Sequence, residues 1–576
     1  MSNGYSVRGI VHDPTGQPVP NVSALVVDVD LGVDDPLGAV STGLDGRFDL
    51  TFDADAFDGA LEGAPELRLY VFDGGTRLAA RAVDADGGRV EVTAERPTEA
   101  VPTMDEAMGM MEEMHHGLSG LRGMTNTPRA PTHPGQGRFG RMFPYLDAAD
   151  HDVEFLKDLG LPGNELDESA ASGSVADSET PSGFVFVGQF VDHDITLDPL
   201  SSLSRQVDPD AIRNFRTPRL DLDSVYGSGP EVSRFLYESP FRGGTRDRFL
   251  LADGRPDLPR NREGTALVGD PRNDENLVLS QFQYAMLNFH NAVFEGFPED
   301  TENHFERAQQ AARWHYQWIV LEEYLPMVCD ETVVDAVRDG RRYFTIGRED
   351  RAYMPLEFAG AAYRFGHSQA RLRYRVNDDA EGKLFGHGPD ALSMGFQPVP
   401  ASKAVDWSHL FEMGDGTDTQ LARKIDPLLA PDLLDLPFVS SDEAWQRSLA
   451  SRNLVRGHNL GLPSGQAVAR AMGVETLSND DLGFDAILHA HDQPTDTEAP
   501  LWYYVLAEAR ELADGEHLGP VGSRIVAEVL VGLIESDPRS FLTLQPNWTP
   551  TLPTPVSGAT DDFTTADLLA LALDDG

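Results

Sequence analysis

Apolar residues in the first 96 positions occur in short runs that alternate with polar residues. Runs at residues 6–11, 22–28, 42–50 and 67–72 are separated by turns rich in Gly, Pro and Asp. Short β-type runs at this spacing favour a small all-β sandwich. No residue of this region suggests catalysis, so we interpret residues 1–96 as an accessory packing or interaction domain.

A helical pattern replaces the alternating one from residue 141 onwards. The apolar stretch at residues 184–190 predicts a buried helix, and apolar positions from Val278 to Val293 recur with a 3.6-residue period. Asn273 or Asp274 can cap that second helix. Further helices are predicted at residues 304–325, 466–472 and 501–513. The sequence therefore predicts a mostly α main domain over residues 141–576.

Two segments fit neither pattern. Residues 97–140 are Met-rich and then Pro/Gly-rich, and we predict a connector. Its methionines with His115 and His116 favour an amphipathic packing helix, and a soft-metal site is the alternative. Residues 161–182, rich in Ser, Ala, Gly and acids, are predicted to form a surface loop.

Polar residues inside the first apolar helix carry the clearest chemical signal. Gln189 and His193 are four residues apart and share one helix face, which Asp192 borders. Asp194 must point elsewhere. An imidazole, an amide and a carboxylate on one face can surround a cofactor. The alternative is a core helix with one satisfied histidine.

Residues 217–228 offer oxygen ligands at alternating positions. These are the Thr217 hydroxyl, the Arg219 carbonyl and the carboxylates of Asp221 and Asp223. Together with Asp194 they form a hard-oxygen set suited to Ca²⁺. A solvated acidic loop is the alternative in a chain this acidic.

Three more segments complete the candidate site. Arg272 and Glu275 are predicted at the start of the periodic helix that contains Val278, and His367 lies beside Gly366, which allows a flat ligand to approach. Asn453 lies in the segment 452–463.

In this order the motifs resemble those of the animal-type haem peroxidases, the peroxidase–cyclooxygenase superfamily. Residues 189–194 resemble the distal motif, 217–227 the calcium loop, 272–275 the catalytic arginine with a haem-linking glutamate, and 363–367 the proximal motif. Residues 1–96 resemble transthyretin-like and carboxypeptidase-regulatory-like domains. The fold expected is a mostly α peroxidase domain preceded by a small β-sandwich.

The resemblance implies haem b and Ca²⁺ as cofactors and assigns a role to each residue. His367 would be the axial ligand, and the Asn453 oxygen would accept its other ring proton. His193 would move a proton between the oxygens of peroxide, and Arg272 would stabilise the charge that develops. The remaining roles are water or anion positioning by Gln189, a propionate contact by Arg364, and haem ester bonds by Asp192 and Glu275.

The implied activity is reduction of hydrogen peroxide, through a high-valent haem intermediate, with oxidation of small reductants such as phenols, bromide or iodide. Asn276 follows Glu275 where the family's strongest oxidants carry a haem-linking methionine. One alternative is a fatty-acid dioxygenase, whose relatives carry a tyrosine three residues before the proximal histidine. Arg364 occupies that position here. The other alternative is a non-catalytic haem-binding protein.

The amino-acid composition indicates the environment in which the protein works and the partners it excludes. The formal net charge is −48, with 94 acidic and 46 basic residues, only four of them lysine. This balance resembles halophilic proteins that work in high salt, and it argues against nucleic-acid or anionic-membrane partners. Cys329 is the only cysteine, so no intrachain disulfide can form. With no signal-peptide pattern and no membrane-length apolar run, we expect a cytoplasmic protein.

Overall fold

The computed structural model describes residues 4–14, 16–19, 23–28, 35–42, 47–53, 67–73, 76–83, 89–93, 139–171, 176–197, 214, 216–242, 244–252, 254–298, 300–344, 353–388 and 390–573. The chain divides into two compact units. The first comprises Met1–Met108 with Phe143–Tyr145, and the second comprises the remaining residues.

The first unit contains two β-sheets in its described residues. Its strands are β1 Gly4–His12, β2 Ser23–Asp28, β3 Asp35–Ser41, β4 Arg47–Asp53, β5 Leu67–Asp73, β6 Thr76–Val83 and β7 Arg89–Thr93. One sheet has the order β4-β1-β7 and the other β3-β2-β5-β6. Val7 and Val11 of the first sheet and Leu69 and Val71 of the second are fully buried. The β-rich character predicted for this region is therefore present, and the sandwich arrangement stays a prediction.

The predicted connector, residues 97–140, lies outside the described residues except for Phe139–Gly140. Its Met-rich helix and the domain boundaries at 96 and 140 therefore stay predictions.

The second unit is mostly helical. Its α-helices are α1 Val153–Leu159, α2 Gly183–Ile195, α3 Asp223–Tyr226, α4 Leu277–Glu295, α5 His304–Trp318, α6 Leu325–Val328, α7 Glu331–Arg338, α8 Leu356–Gly360, α9 Ala444–Arg447, α10 Leu449–Asn459, α11 Gly465–Met472, α12 Phe484–Ala490, α13 Leu501–Ala513, α14 Pro520–Ser536, α15 Phe541–Leu544 and α16 Thr565–Leu573. No helix in the described ranges combines the length and apolarity required to cross a membrane.

Short elements connect these helices. The strands are β8 Phe139–Gly140, β9 Asp177–Pro181, β10 Met354–Pro355, β11 Arg373–Asn377, β12 Ala380–Phe385, β13 Ala391–Ser393 and β14 Leu421–Arg423. The 3₁₀ helices are Arg234–Leu236, Pro240–Arg242, Pro271–Asp274, Ala362–His367, Ala401–Lys403, Trp407–His409 and Pro431–Leu433, and Ile319–Tyr324 forms a π-helical turn.

Helices α2, α4 and α5 meet in the core beside the candidate site. The ring of Phe190 on α2 lies edge-on to Phe282 of α4 at 5.1 Å and to Tyr316 of α5 at 5.9 Å. Gly188 of the same helix allows a separate close approach, because a Cβ there would stand 2.4 Å from the Tyr324 hydroxyl oxygen. The apolar face of α2 is thereby fixed, and its polar face is left for the site.

Two local predictions were wrong. The α4 helix is capped by Asn276, whose side chain accepts from the Leu279 N–H, because Asn273 and Asp274 belong to a separate 3₁₀ turn capped by Asp270. The predicted loop at residues 161–182 contains strand β9, which pairs antiparallel with β14. A strand partner more than 200 residues away leaves little trace in local composition.

Candidate active site

The polar face of α2 lines a largely apolar cavity in the second unit. Gln189, Asp192 and His193 contribute to its wall, as does Val185 one turn earlier. Asp194 does not, since its carboxylate accepts from the backbone N–H groups of Leu222 and Ser224. Gln189, Asp192 and His193 thus share the face that lines the cavity, and the Asp194 carboxylate points away from it, as the helix spacing predicts.

His193 is buried and its ring is held by another side chain. Its Nδ1 lies 2.8 Å from the Oδ1 of Asn273, and the Asn273 Nδ2 donates to the Oε1 of Gln283 at 2.7 Å. Burial, and secondarily the positive charge of Arg272, lowers the pKa of His193 to about 4. The imidazole is therefore neutral near pH 7 and available to accept a proton.

Arg272 lies next to the cavity wall and does not line it. Its guanidinium donates to the Asp270 carboxylate at 2.9 Å and to the His193 carbonyl at 3.1 Å, and it lies 3.9 Å from Asp192. Arg272 was expected at the start of α4, but it precedes that helix and belongs to the 3₁₀ turn Pro271–Asp274. Its contacts hold the arginine against the helix that carries His193.

Glu275 and Asn276 line the cavity between that 3₁₀ turn and α4. Burial raises the pKa of Glu275 to about 8, and its Oε2 is buried without a hydrogen-bond partner among the described residues. Asn276 donates from Nδ2 to the Oε1 of Gln189 at 3.0 Å. Sequence reasoning did not anticipate that Asn276 both caps α4 and orients Gln189.

His367 ends the 3₁₀ helix Ala362–His367 and lines the same cavity with Arg364. Burial, and then the charge of Arg364, lowers the His367 pKa to about 3. Asn453 of α10 contacts His367, as predicted, but through Nδ2 at 2.9 Å and not through its oxygen. The oxygen instead accepts from the Arg364 guanidinium at 3.1 Å. The predicted contact between the two residues is therefore present, and the acceptor role of the Asn453 oxygen stays a prediction.

Two further arginines lie close to Asn453 on α10. Arg452 and Arg456 are buried, and burial followed by the charges of Arg456 and Arg364 lowers the pKa of Arg452 to about 9. A cluster of buried guanidinium groups is a place for anions. Sequence reasoning missed both residues, although they flank Asn453 in the chain and Arg456 lies one helical turn after it.

Three predicted calcium ligands come together as buried carboxylates. Asp194, Asp221 and Asp223 have oxygens within 4.8 Å of one another, and the Thr217 hydroxyl lies 2.8 Å from Asp223. Burial, then Asp223 and Asp221, raises the pKa of Asp194 well above its usual value. Crowded buried carboxylates of this kind favour a cation. The carbonyl of Arg219 stays a predicted ligand.

The cavity itself encloses about 920 Å³ of space free of protein atoms, including its mouth. Phe184, Phe186, Leu384, Leu436 and other apolar residues form most of its wall. A Cβ added at Gly366 would meet nothing within 4 Å. The wall therefore joins the distal His193 and the proximal His367 across one largely apolar space.

Comparison with known proteins bears on the classification of the chain. The sequence model of the animal haem peroxidase family matches residues 199–486, half of the chain. Chorion peroxidase of Drosophila melanogaster is 24% identical over 285 residues, which cover 45% of this chain and 33% of that protein. Thyroid peroxidase of Sus scrofa is 26% identical over 367 residues, which cover 56% of this chain and 38% of that protein.

Among solved structures, peroxidase A from Dictyostelium discoideum superposes with a TM-score of 0.50 at 18% identity, covering 76% of this chain and 97% of that one. This likeness shows the fold. The chain spans only about a third to two fifths of the length of the two relatives named above. The family match over half the chain establishes the classification: this chain belongs to the animal haem peroxidase family, whose members are oxidoreductases.

Proposed function

We propose that the protein is a haem peroxidase that reduces H₂O₂ to water while oxidising two equivalents of a small one-electron donor, or one halide ion. The observation that carries the proposal is the cavity wall itself. His193 of α2 and His367, 174 positions later, line one largely apolar space together with Gln189 and Arg364. A protein that only binds haem has no need of a distal acid–base pair such as His193 with Arg272.

The residues present fit haem b. His367 would supply a ligand nitrogen to the iron, and the Arg364 guanidinium, which lines the cavity, would meet a propionate. Glu275 has a carboxylate oxygen without a partner among the described residues at the cavity edge. When bound, the haem iron supplies the two-electron oxidation and carries the oxidising equivalents to the reductant.

The distal residues manage the proton. The neutral ring of His193 takes a proton from one oxygen of H₂O₂ and returns it to the departing oxygen, which leaves as water. Arg272 lies just outside the cavity wall, where its guanidinium donates to the His193 carbonyl, and from there its positive charge would stabilise the negative charge that develops on that oxygen. Gln189, held by Asn276 at 3.0 Å, positions water or a small anion beside the reacting peroxide.

The residues around His367 determine which of its ring nitrogens is free to act as a ligand. For Nε2 of His367 to be a free ligand, its Nδ1 must carry the proton and must face an acceptor. We propose that Arg364 leaves Asn453 for a propionate on haem binding, after which Asn453 turns its oxygen toward His367. The amide plane makes the two orientations alike in shape.

Calcium belongs to the same proposal. Asp194, Asp221, Asp223 and Thr217 would bind Ca²⁺ directly behind His193, since Asp194 is its neighbour in the chain. Asp223 pairs with Arg216 and Asp221 with Arg539, whereas among the described residues no ion pair involves Asp194, which supports a cation at that point.

The decisive experiment is absorption spectroscopy of the haem-loaded protein before and after one equivalent of H₂O₂. We expect a Soret band that shifts on peroxide addition and returns when a phenol is supplied. The His193→Ala variant should retain the Soret band and lose the rapid shift, and His367→Ala should lose haem. Failure of the wild-type protein to bind haem would overturn the proposal.

Halide preference tests the reducing substrate. Asn276 stands where a haem-linking methionine would be needed, so we expect bromide, iodide and phenols to be oxidised in preference to chloride. Steady-state rates with each halide at neutral pH measure this preference. Chloride oxidation as fast as bromide oxidation would contradict it.

A second function has one supporting observation. Tyr363 lines the cavity, stacked on Phe358 at 4.5 Å, and a fatty-acid dioxygenase requires a tyrosine near its haem. Oxygen uptake on addition of a fatty acid, lost in Tyr363→Phe, would favour that function over the peroxidase.

A further inference from the structure

A chain of buried side chains leads away from the distal histidine on the side opposite the cavity. It runs from His193 to Asn273 at 2.8 Å and from Asn273 to Gln283 at 2.7 Å. Asn273 and Gln283 are fully buried, His193 is 4% exposed, and of the three only His193 lines the cavity. The chain therefore acts on the site only through His193.

The chemistry of the donors fixes the proton on the ring. The Asn273 oxygen can only accept a hydrogen bond, so the His193 Nδ1 that faces it must carry N–H. A neutral imidazole has one N–H, and Nε2 is then the bare nitrogen. With the other tautomer, Nε2 would carry the proton and His193 could not take another from a ligand.

Gln283 favours one orientation of the Asn273 amide. Its Oε1 accepts from the Asn273 Nδ2, so a half-turn of the Asn273 amide alone would bring two oxygens together. The backbone of Asn273 is held as well, since its N–H donates to the Asp270 carbonyl at 3.1 Å within the Pro271–Asp274 turn. The Asn273 oxygen that faces His193 and the Gln283 oxygen that faces Asn273 thus both belong to buried side chains.

We propose that Asn273, oriented by Gln283, is a positioning residue that holds His193 in the Nδ1–H tautomer with a bare Nε2 directed at the cavity. Asn273 touches neither haem nor substrate and works through His193. This inference rests on the proposed function, in which His193 accepts a proton from the incoming peroxide.

The test uses haem-loaded protein and two probes, HCN and H₂O₂. Cyanide enters as HCN and has to surrender its proton before the anion binds ferric haem, so its association rate reports a bare distal nitrogen without any turnover. The variants are Asn273→Leu, Asn273→Asp and Gln283→Leu. The His193→Ala variant gives the rate in the absence of the distal imidazole. Gln281→Leu is the matched control, because Gln281 is on the same helix, is also buried and bonds instead to the Pro256 carbonyl.

We expect Asn273→Leu to slow cyanide association and the peroxide reaction at pH 7 by about 10- to 100-fold, part of the roughly 10²- to 10⁴-fold due to acid–base catalysis. Asn273→Asp keeps an acceptor for Nδ1–H, and Gln283 can turn its amide to donate to the new carboxylate. Its rates should stay within about threefold of wild type, because the proton on Nδ1 keeps its partner. Gln283→Leu should fall between the two, and Gln281→Leu should match wild type.

Wild-type cyanide rates in Asn273→Leu would overturn the inference, and so would an Asn273→Asp variant as slow as Asn273→Leu. If Asn273→Leu does not fold, the Gln283→Leu and Gln281→Leu pair decides, and equal rates for those two would overturn it. Wild-type protein that binds haem and cyanide but ignores peroxide would refute the proposed function alone, because the cyanide rates would still test the tautomer.

Discussion

Replacing Asp270 by asparagine should destabilise the protein more than any single surface substitution. The Asp270 carboxylate is fully buried and bridges two guanidinium groups: Arg216 donates to it at 2.8 Å, and Arg272 at 2.9 Å and also from its backbone N–H at 2.8 Å. The amide of the variant would keep the shape, remove the charge and leave two buried cations short of one anion. Breaking a buried ion pair on one side costs about 3–5 kcal/mol.

The same number follows from the bonds themselves. Hydrogen bonds to charged groups contribute about 1.5–3 kcal/mol each, and an amide nitrogen at this position would lose about two of them. For a domain of this size a loss of about 3–5 kcal/mol lowers Tm by about 3–5 °C. Because Arg272 is anchored by Asp270, the peroxide reaction of the haem-loaded variant should slow as well.

The pH dependence of this effect has a definite sign. Burial alone would raise the pKa of Asp270, but Arg216 and Arg272 outweigh it and hold the pKa far below its usual range. The stabilisation is therefore complete above the pKa of an unfolded aspartate, about 3.9, and declines as pH falls below it. The Tm difference between wild type and Asp270→Asn should be constant from about pH 5 to 8 and narrow in stronger acid.

Thermal melts followed by circular dichroism, with and without haem, measure both effects. Asp390→Asn is the control, since Asp390 pairs with Arg373 at 2.8 Å on the surface with 63% of its side chain exposed. Such a pair contributes at most about 1 kcal/mol. A Tm for Asp270→Asn within about 1 °C of that control would refute the electrostatic reasoning.

Three other outcomes are expected. Ca²⁺ added to chelator-treated protein should raise Tm, because binding at about 100 times Kd stabilises the fold by about 2.7 kcal/mol. The Asp223→Ala variant should show no such rise. An unchanged Tm in the wild type, with no metal found by elemental analysis, would contradict the calcium site. Burial raises the Glu275 pKa to about 8, so the folded protein prefers Glu275 protonated. Haem-free protein should therefore lose stability as pH rises from about 4.5 to 8, and Glu275→Gln should remove that part of the loss. Identical pH profiles of Tm for the variant and the wild type would contradict this prediction. Haem should resist acid–organic extraction after peroxide treatment if Asp192 and Glu275 form esters, and intact mass measurement of the Asp192→Asn/Glu275→Gln variant should show no attached haem.

Elements with strong local periodicity could be predicted closely from the sequence. Helix α13 spans Leu501–Ala513, the range predicted, and α4 covers the periodic stretch from Val278 to Val293. The error at the start of α4 has a local cause: a polar run offers several capping residues, and backbone geometry selects among them. Asn276 has the extended conformation that a cap requires, and Asp274 lies inside the preceding turn.

The residues of the candidate site that lie in contiguous sequence motifs could be predicted from the sequence. Gln189, His193 and His367 line one cavity, as their motifs led us to expect, and His367 pairs with Asn453, 86 residues away. The bonds that depend on three-dimensional packing were not predictable. Asn276 to Gln189 and Asn273 to His193 join segments about 80 residues apart through common amide side chains, which carry no motif of their own.

The three consecutive residues Asp192, His193 and Asp194 show how one helix turn can serve three tasks. Successive helix positions are rotated by about 100°, so the three side chains leave the axis in different directions. Asp192 lines the cavity and accepts from the Thr196 hydroxyl at 2.9 Å, His193 faces the cavity and Asn273, and Asp194 faces the cluster with Asp221 and Asp223. A cation bound at Asp194 would therefore restrain the same backbone turn that carries His193. Loss of that cation would loosen the distal base without any direct contact between the two, which is why metal removal and His193 function are expected to change together.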